Sequence, residues 1–328
     1  MPVRVPVPAA AEPRPAHQPI HSLSGARRAA LLLSLIIPLS MLASVPAYAG
    51  TQTTPSSHDP TMRVVDTPPA RALWVWDQPN PNTLVAYALT HRVNRLFLAT
   101  PPDVTNSAQL DRITATIAAA HAVGINVDAL GGDPGWLDTA NQQWVIDHWL
   151  TPALAVSGFD GIHVDIEPYA NSSWSTDQAG TVNRYLQLLT AVVHHSGNAH
   201  PVEADVPFWF NTVHVGAGGR LDSAVLARVH SVAIMAYRNT AAGPDGTLDL
   251  ATPTLAAAAA VGKHVHIGQE TRYLGANGVQ TKQTFYGQTS AQMNTQLAAI
   301  DTAESANPAY SGIAVHDYTG WSAISPGP

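Results

Sequence analysis

The chain contains no cysteine in its 328 residues. That excludes disulfide staples, thiolate metal sites and cysteine nucleophiles, even in a compartment where disulfides would persist. Charge is also scarce. Asp, Glu, Lys and Arg together make up 12% of the chain, with a formal net charge of −7. No basic run follows the first 28 residues, so the chain offers no electrostatic footprint for a nucleic acid. No Gly-rich phosphate loop follows the first apolar β-type run, which removes support for a dinucleotide-binding fold. Neither a cofactor nor a metal is expected. The eight tryptophans on a weakly charged background suit a neutral, hydroxyl-rich ligand, and an oligo- or polysaccharide is the expected partner.

The N-terminal fifth of the chain is unlike the rest. Arg27-Arg28 precede an apolar run over 29–45 that closes on Ala47-Tyr48-Ala49. A basic region, an apolar stretch and a small-x-small site describe a secretory signal. A transmembrane anchor is the alternative. The run is interrupted by Pro38, Ser40 and Ser44 and is short for a span, so no stable membrane insertion is expected after cleavage. The predicted organisation is a signal over 1–49, a Thr/Ser/Pro-rich linker over 50–68, and one folded domain over 69–328 that leads to a secreted, extracellular product. Oligomeric state is not legible.

Within 69–328, short β-branched runs alternate with Ala/Leu-rich amphipathic stretches. Strands are predicted over 72–76, 93–99, 125–130, 161–166, 202–206, 232–237, 264–269 and 312–316. Helices are predicted over 81–91, 107–123, 142–155, 180–195, 221–229, 252–261 and 291–306, with Asn80 and Asp222 as caps. Strict alternation argues for a parallel sheet. About 260 residues is the size of one (β/α)8 TIM barrel, the fold class expected here. A doubly wound open sheet is the alternative.

Barrel enzymes act at the C-terminal ends of their strands, and those ends are rich in acidic and aromatic residues. The first carries Trp74 and Trp76, the third Asp133 and Trp136, and the fourth Asp165 and Glu167. Glu203, Asp205 and Trp209 follow on the fifth, Tyr237 and Arg238 on the sixth, and Glu270 on the seventh. The eighth has His316 and Asp317, with Trp321 beyond. Side chains alternate along a strand, so His163, Asp165 and Glu167 are predicted to face into the barrel. Two carboxylates so close repel, and one is pressed to keep a proton, as a glycosidic acid must. A structural ion-pair site, or a divalent metal held by His163, Asp165 and Glu167, would use the same residues. Two or three of Trp74, Trp76, Trp136, Trp209 and Trp321 are expected to line a cleft.

Phe159-Asp160-Gly161-Ile162-His163-Val164-Asp165-Ile166-Glu167 resembles the fourth-strand signature of family 18 glycoside hydrolases, the chitinases and endo-N-acetylglucosaminidases, which reads Asp-Gly-x-Asp-x-Asp-x-Glu. Met235-Ala236-Tyr237 is similar to that family's sixth-strand Met-x-Tyr, and Trp321 stands near its last-strand Trp. The resemblance implies Glu167 as the acid that protonates the glycosidic oxygen. It implies Asp165 as the group orienting a substrate N-acetyl, and Tyr237 as a donor to its carbonyl, which attacks the anomeric carbon. Two positions depart from the pattern. His163 replaces an Asp, and Arg238 follows Tyr237 where the family has Asp or Asn. Both bring potential positive charge toward Glu167. Two further readings use the same strand ends. One is a retaining glycosidase pairing Glu167 with Glu270, whose carboxyls would lie about 5–5.5 Å apart. The other is a carbohydrate-binding barrel without turnover.

Overall fold

Strands packed under helices turn apolar side chains toward them, as Leu73, Val75, Ile162, Val164, Val202, Ala204 and Val206 do here. The computed structural model describes residues 71–138, 140–216 and 218–327. The expected signal and linker, 1–68, lie outside the described residues. The strands are β1 (Arg71–Val75), β2 (Val93–Ala99), β3 (Asn126–Gly131), β4 (Gly161–Val164), β5 (Val202–Pro207), β6 (Ser231–Met235), β7 (His264–Glu270) and β8 (Tyr310–His316). Each pairs in parallel with its sequence neighbour, and β1 closes on β8. The chain is therefore a (β/α)8 barrel, and the open-sheet alternative does not apply. A short antiparallel hairpin, His214–Val215 with Gly219–Arg220, stands apart from it.

The connecting helices are α1 (Pro81–Thr90), α2 (Leu110–His121), α3 (142–155, with a wide π turn over Val145–Leu150), α4 (Gln178–Ser196), α5 (Leu221–Leu226), α6 (Thr247–Ala260), α7 (Gly278–Lys282), α8 (Ser290–Glu304) and α9 (Tyr318–Ser322). Asn80 caps α1 as expected, its side chain accepting from Asn82 N and Thr83 N. Asp222 does not cap α5. It is fully buried inside that helix, where it holds Arg220 and accepts from Thr254 Oγ1 at 3.2 Å. The sixth helix begins at Thr247, five residues before its expected start. Pro253, which reads as a first-turn residue, sits inside it instead. No helix among the described residues is long and apolar enough to cross a membrane.

Two cores result. The larger lies between strands and helices and takes Leu73, Val75, Leu96, Leu98, Ile162, Val164 and Ile166 from the outward faces. The smaller fills the barrel with Ala72, Trp74, Phe97, Leu130, Ala233 and Ala314. Polar groups complete this interior. Asp128, His163, Glu203, Asp205, Glu270 and His316 are all at most 5% exposed, so each must find a partner inside the barrel.

Candidate active site

The β4 ladder ends at Val164, two residues sooner than the expected strand. Asp165 N still donates to Gly131 O at 3.0 Å. The chain then turns, and Glu167 takes φ 52°, ψ 63°, a left-handed conformation uncommon for a residue with a side chain. Alternation therefore does not carry Glu167 to its place; the turn does. Its carboxylate accepts a hydrogen bond from the Tyr169 hydroxyl. Burial, together with Glu167 and Asp165, keeps the Tyr169 phenol protonated far above its ordinary range, so it remains a donor. Tyr169 also stacks edge-on against Trp209 at 5.3 Å, which meets Trp174 at 6.1 Å.

Tyr237 stands at the centre of the acids. Burial raises its phenol well above the usual value, and Glu270, Asp205, Asp165 and Glu167 all push the same way. The four carboxylates are thus close enough to act on one buried phenol. Close approach by glycine makes room for it. A Cβ on Gly268 would lie 3.1 Å from Tyr237 Cε1, and one on Gly132 would lie 1.8 Å from Asp165 O. Both backbones can pack there only without a side chain.

Below the mouth, His163 Nε2 lies 3.0 Å from Asp205 Oδ1, and its ring stacks on Phe97 at 3.7 Å. Burial lowers the His163 pKa to about 4. Burial and the neighbouring Glu203 push Asp205 well above its ordinary range. The two shifts fit one proton arrangement. A neutral His163 shares one proton with Asp205 across this contact, while Asp205 Oδ2 accepts from Trp74 Nε1 at 3.1 Å. Burial alone would raise Glu203, but His266 at 3.0 Å, His163 and the Ser231 hydroxyl bring it down to about 2. Their surroundings therefore push the two neighbouring carboxyls, Glu203 and Asp205, in opposite directions.

The positive charge expected from the two departures does not arrive. His163 is neutral at pH 7. Arg238 donates to Tyr237 O at 2.7 Å, and its guanidinium is held by Asp245 at 2.6 Å. Glu270 is occupied as well. Its Oε1 accepts from Thr271 N at 2.7 Å and Arg272 N at 2.6 Å, and its Oε2 lies 3.0 Å from His316 Nδ1. Burial lowers and Glu270 raises the His316 pKa, with a net rise. Trp76 Nε1 donates to His316 Nε2 at 2.9 Å, and only a neutral ring can accept there. A ring carrying its proton on Nδ1, toward Glu270, satisfies both contacts.

The other expected site residues divide. Trp76 and Trp209 are half-buried near the mouth, while Trp74 is fully buried beneath it. Asp133 is exposed and caps the turn Pro134–Leu137 through Gly135 N. Asp317 is buried, holding Arg272 and capping α9. Trp136 packs on Trp149 of α3 at 4.9 Å, in the outer core. Trp321 lies outside the barrel, 4.8 Å from His91 and 5.7 Å from Tyr87, and the strand-end position at the mouth belongs to His316. Tyr169 was not singled out from the sequence. Its signal in the sequence is its place two residues beyond Glu167, the spacing that sets two side chains on one face of a strand. Among the described residues no group of three or more His, Asp and Glu side chains has an arrangement able to hold a metal ion.

No family profile and no curated protein matches the chain. Solved structures do. The chain is similar to a chitinase from Bacteroides thetaiotaomicron, with 11% identity and TM-score 0.54 over 77% of this chain and 91% of that one. It is also similar to a chitinase from Chromobacterium violaceum, with 13% identity and TM-score 0.50 over 79% and 98%. At these identities the likeness establishes the fold: this chain is a divergent (β/α)8 barrel of the shape found in solved chitinases.

Proposed function

We propose that this chain is an exported glycoside hydrolase acting on an N-acetylated glycan, with Glu167 as general acid and Asp165 and Tyr237 supporting a substrate-assisted reaction. The observation that carries this reading is the turn after β4. It sets Glu167 in a left-handed conformation at the barrel mouth, where Asp165, Glu167 and Tyr237 feel one another. Backbone outliers of this kind persist where the surroundings enforce them, often at reacting centres.

The chemistry follows from the placement. Glu167 gives its proton to the glycosidic oxygen as the bond from that oxygen to the anomeric carbon breaks. The substrate's own acetamido carbonyl oxygen forms the new bond to that carbon. Asp165 accepts from the acetamido N–H, and the Tyr237 hydroxyl donates to its carbonyl. Water then attacks the anomeric carbon and gives a proton to Glu167, while the bond from the acetamido oxygen to that carbon breaks and the acetamido group is restored. Neutral His163 beneath the site adds no charge of its own beside Asp165.

Glu167→Gln tests this. On chitooligosaccharides and a wider glycan panel, turnover is expected to fall at least about a hundredfold, the scale of a lost general acid, with binding retained. Full turnover in the variant would end the proposal. A second reading, glycan binding without turnover, is favoured by the Tyr169 hydroxyl that already occupies Glu167. It predicts calorimetric binding, no product, and no effect of the Gln substitution. The retaining-glycosidase reading stands second among the hydrolase readings; in it Glu270, with Oε1 held by two backbone amides and Oε2 3.0 Å from His316 Nδ1, would be the nucleophile. Export predicts that protein recovered from medium begins near Gly50.

A further inference from the structure

Two of the most exposed large side chains in the barrel lie against each other. Tyr273 and Tyr286 are 59% and 58% exposed, with ring centroids 5.1 Å apart and planes inclined by 57°. Exposed aromatics in contact, outside any core, call for a ligand more than a lone exposed tyrosine does. Neither belongs to the cleft described above.

Their backbone is held. Tyr273 follows β7 by three residues. The chain returns past α7 so that Phe285 N donates to Glu270 O at 2.9 Å, and Thr284 Oγ1 donates to Arg272 O at 2.7 Å and accepts from Tyr286 N at 2.9 Å. Asn239 Nδ2 ties the same segment to the β6 loop through Thr281 O and Thr284 O. Phe285, fully buried beside Tyr286, anchors the turn and sends its neighbour outward. The two rings therefore stand on a fixed base at the C-terminal end of β7, the strand that ends in Glu270.

The charges around them are spent. Lys282 pairs with Asp245, and Arg272 pairs with Asp317. What remains is aromatic face and hydroxyl, which suits a flat ligand with an apolar face and a hydroxyl rim. A pyranose ring is such a ligand. The inclination of the planes lets a sugar face lie on one ring while the other closes its edge.

We infer that Tyr273 and Tyr286 form an auxiliary platform for the pyranose rings of a neutral polysaccharide, adjoining the proposed cleft; this rests on the carbohydrate reading above. The platform holds a polymer that extends beyond the reacting sugars, so short substrates do not need it.

Co-sedimentation with insoluble chitin and insoluble cellulose tests it, alongside turnover of a soluble chitotetraose. The double variant Tyr273→Ala/Tyr286→Ala is expected to lose about tenfold in partition onto at least one polymer, the scale of two lost aromatic contacts. Tyr273→Phe/Tyr286→Phe keeps the rings and is expected to keep binding. Turnover of the short substrate is expected to be unchanged in both. Wild-type chain that sediments with neither polymer, or equal sedimentation of the Ala pair, overturns the inference. So does a wild-type dimer in solution that the Ala pair dissociates, which would make the surface a contact between copies. Tyrosine-dependent sedimentation without turnover of any glycan leaves the platform standing and removes the hydrolase reading alone.

Discussion

Replacing Gly132 with Ala is a one-methyl perturbation aimed at Asp165. The Gly132 backbone has no positive φ, so Ala can adopt it, and the effect is steric alone. The added Cβ would lie 1.8 Å from Asp165 O, while real Cβ atoms stay beyond 3.0 Å, so the two backbones must separate by at least 3.0 − 1.8 = 1.2 Å. Asp165 N is bonded to Gly131 O, so the shift falls on the segment that carries Asp165 and Glu167. Misplacement by about 1 Å costs about a hundredfold in rate where geometry is set by the backbone. Forcing a methyl into a packed site costs about 1–3 kcal/mol, or a melting point lower by roughly 2–4 °C for each kcal/mol at this size. The assay is kcat on a soluble chitooligosaccharide together with thermal unfolding. Gly278→Ala is the control, since its Cβ would meet nothing within 4 Å. A folded Gly132→Ala protein with wild-type kcat would refute the claim that the Asp165 main chain positions the chemistry.

Tyr169→Phe removes the donor to Glu167. A donor to a carboxylate favours its charged form, so the alkaline limb of the pH–rate profile is expected to move to higher pH, and an unmoved limb would separate Tyr169 from the acid. Glu203→Gln tests the buried carboxylate. With its pKa brought from 4.5 to about 2 on folding, Glu203 contributes about 3 kcal/mol of stability above pH 4.5, and this is lost as pH falls toward 2. Asp205 works in the opposite sense, because its raised pKa costs stability as pH rises above 3.8, and Asp245 and Asp317, with lowered pKa values, act in the same sense as Glu203. These groups are common to both proteins, so the difference between variant and wild type over the interval from pH 2 to 4.5 reports Glu203. Urea unfolding is expected to show a lower stability for the variant at neutral pH and a flatter dependence on pH within that interval. A parallel pH dependence in the two proteins would contradict the assigned charge on Glu203.

The eight strands were legible because a parallel barrel strand is buried on both faces and tends to leave a short apolar run, as Val232-Ala233-Ile234-Met235 does. The long helices were legible through their periodicity and through the Asn80 cap. The two short helices were not, since α7 and α9 each span five residues, too few to establish a period against the loops around them. The site divided along the same line. His163 and Asp165 could be assigned to the interior because they belong to, or directly extend, a ladder with a period of two. Glu167 reaches the mouth through a left-handed turn that no alternation rule encodes, and Tyr169 becomes its partner only because of that turn. Trp321 failed for a related reason. Five residues beyond His316 is close in sequence, but the intervening helix carries Trp321 to the outside, against Tyr87 and His91. Charge was the least legible property. His163 and Arg238 each promised a cation beside Glu167. Burial discharges the first, and Asp245, seven residues from Arg238 and on the same loop, neutralises the second. A divergent motif can therefore lose its usual carboxylates without bringing positive charge to the acid, provided that the replacement is buried or is answered locally. Both conditions hold here, which is why the departures from the resemblance leave Glu167 the strongest candidate for the reacting group.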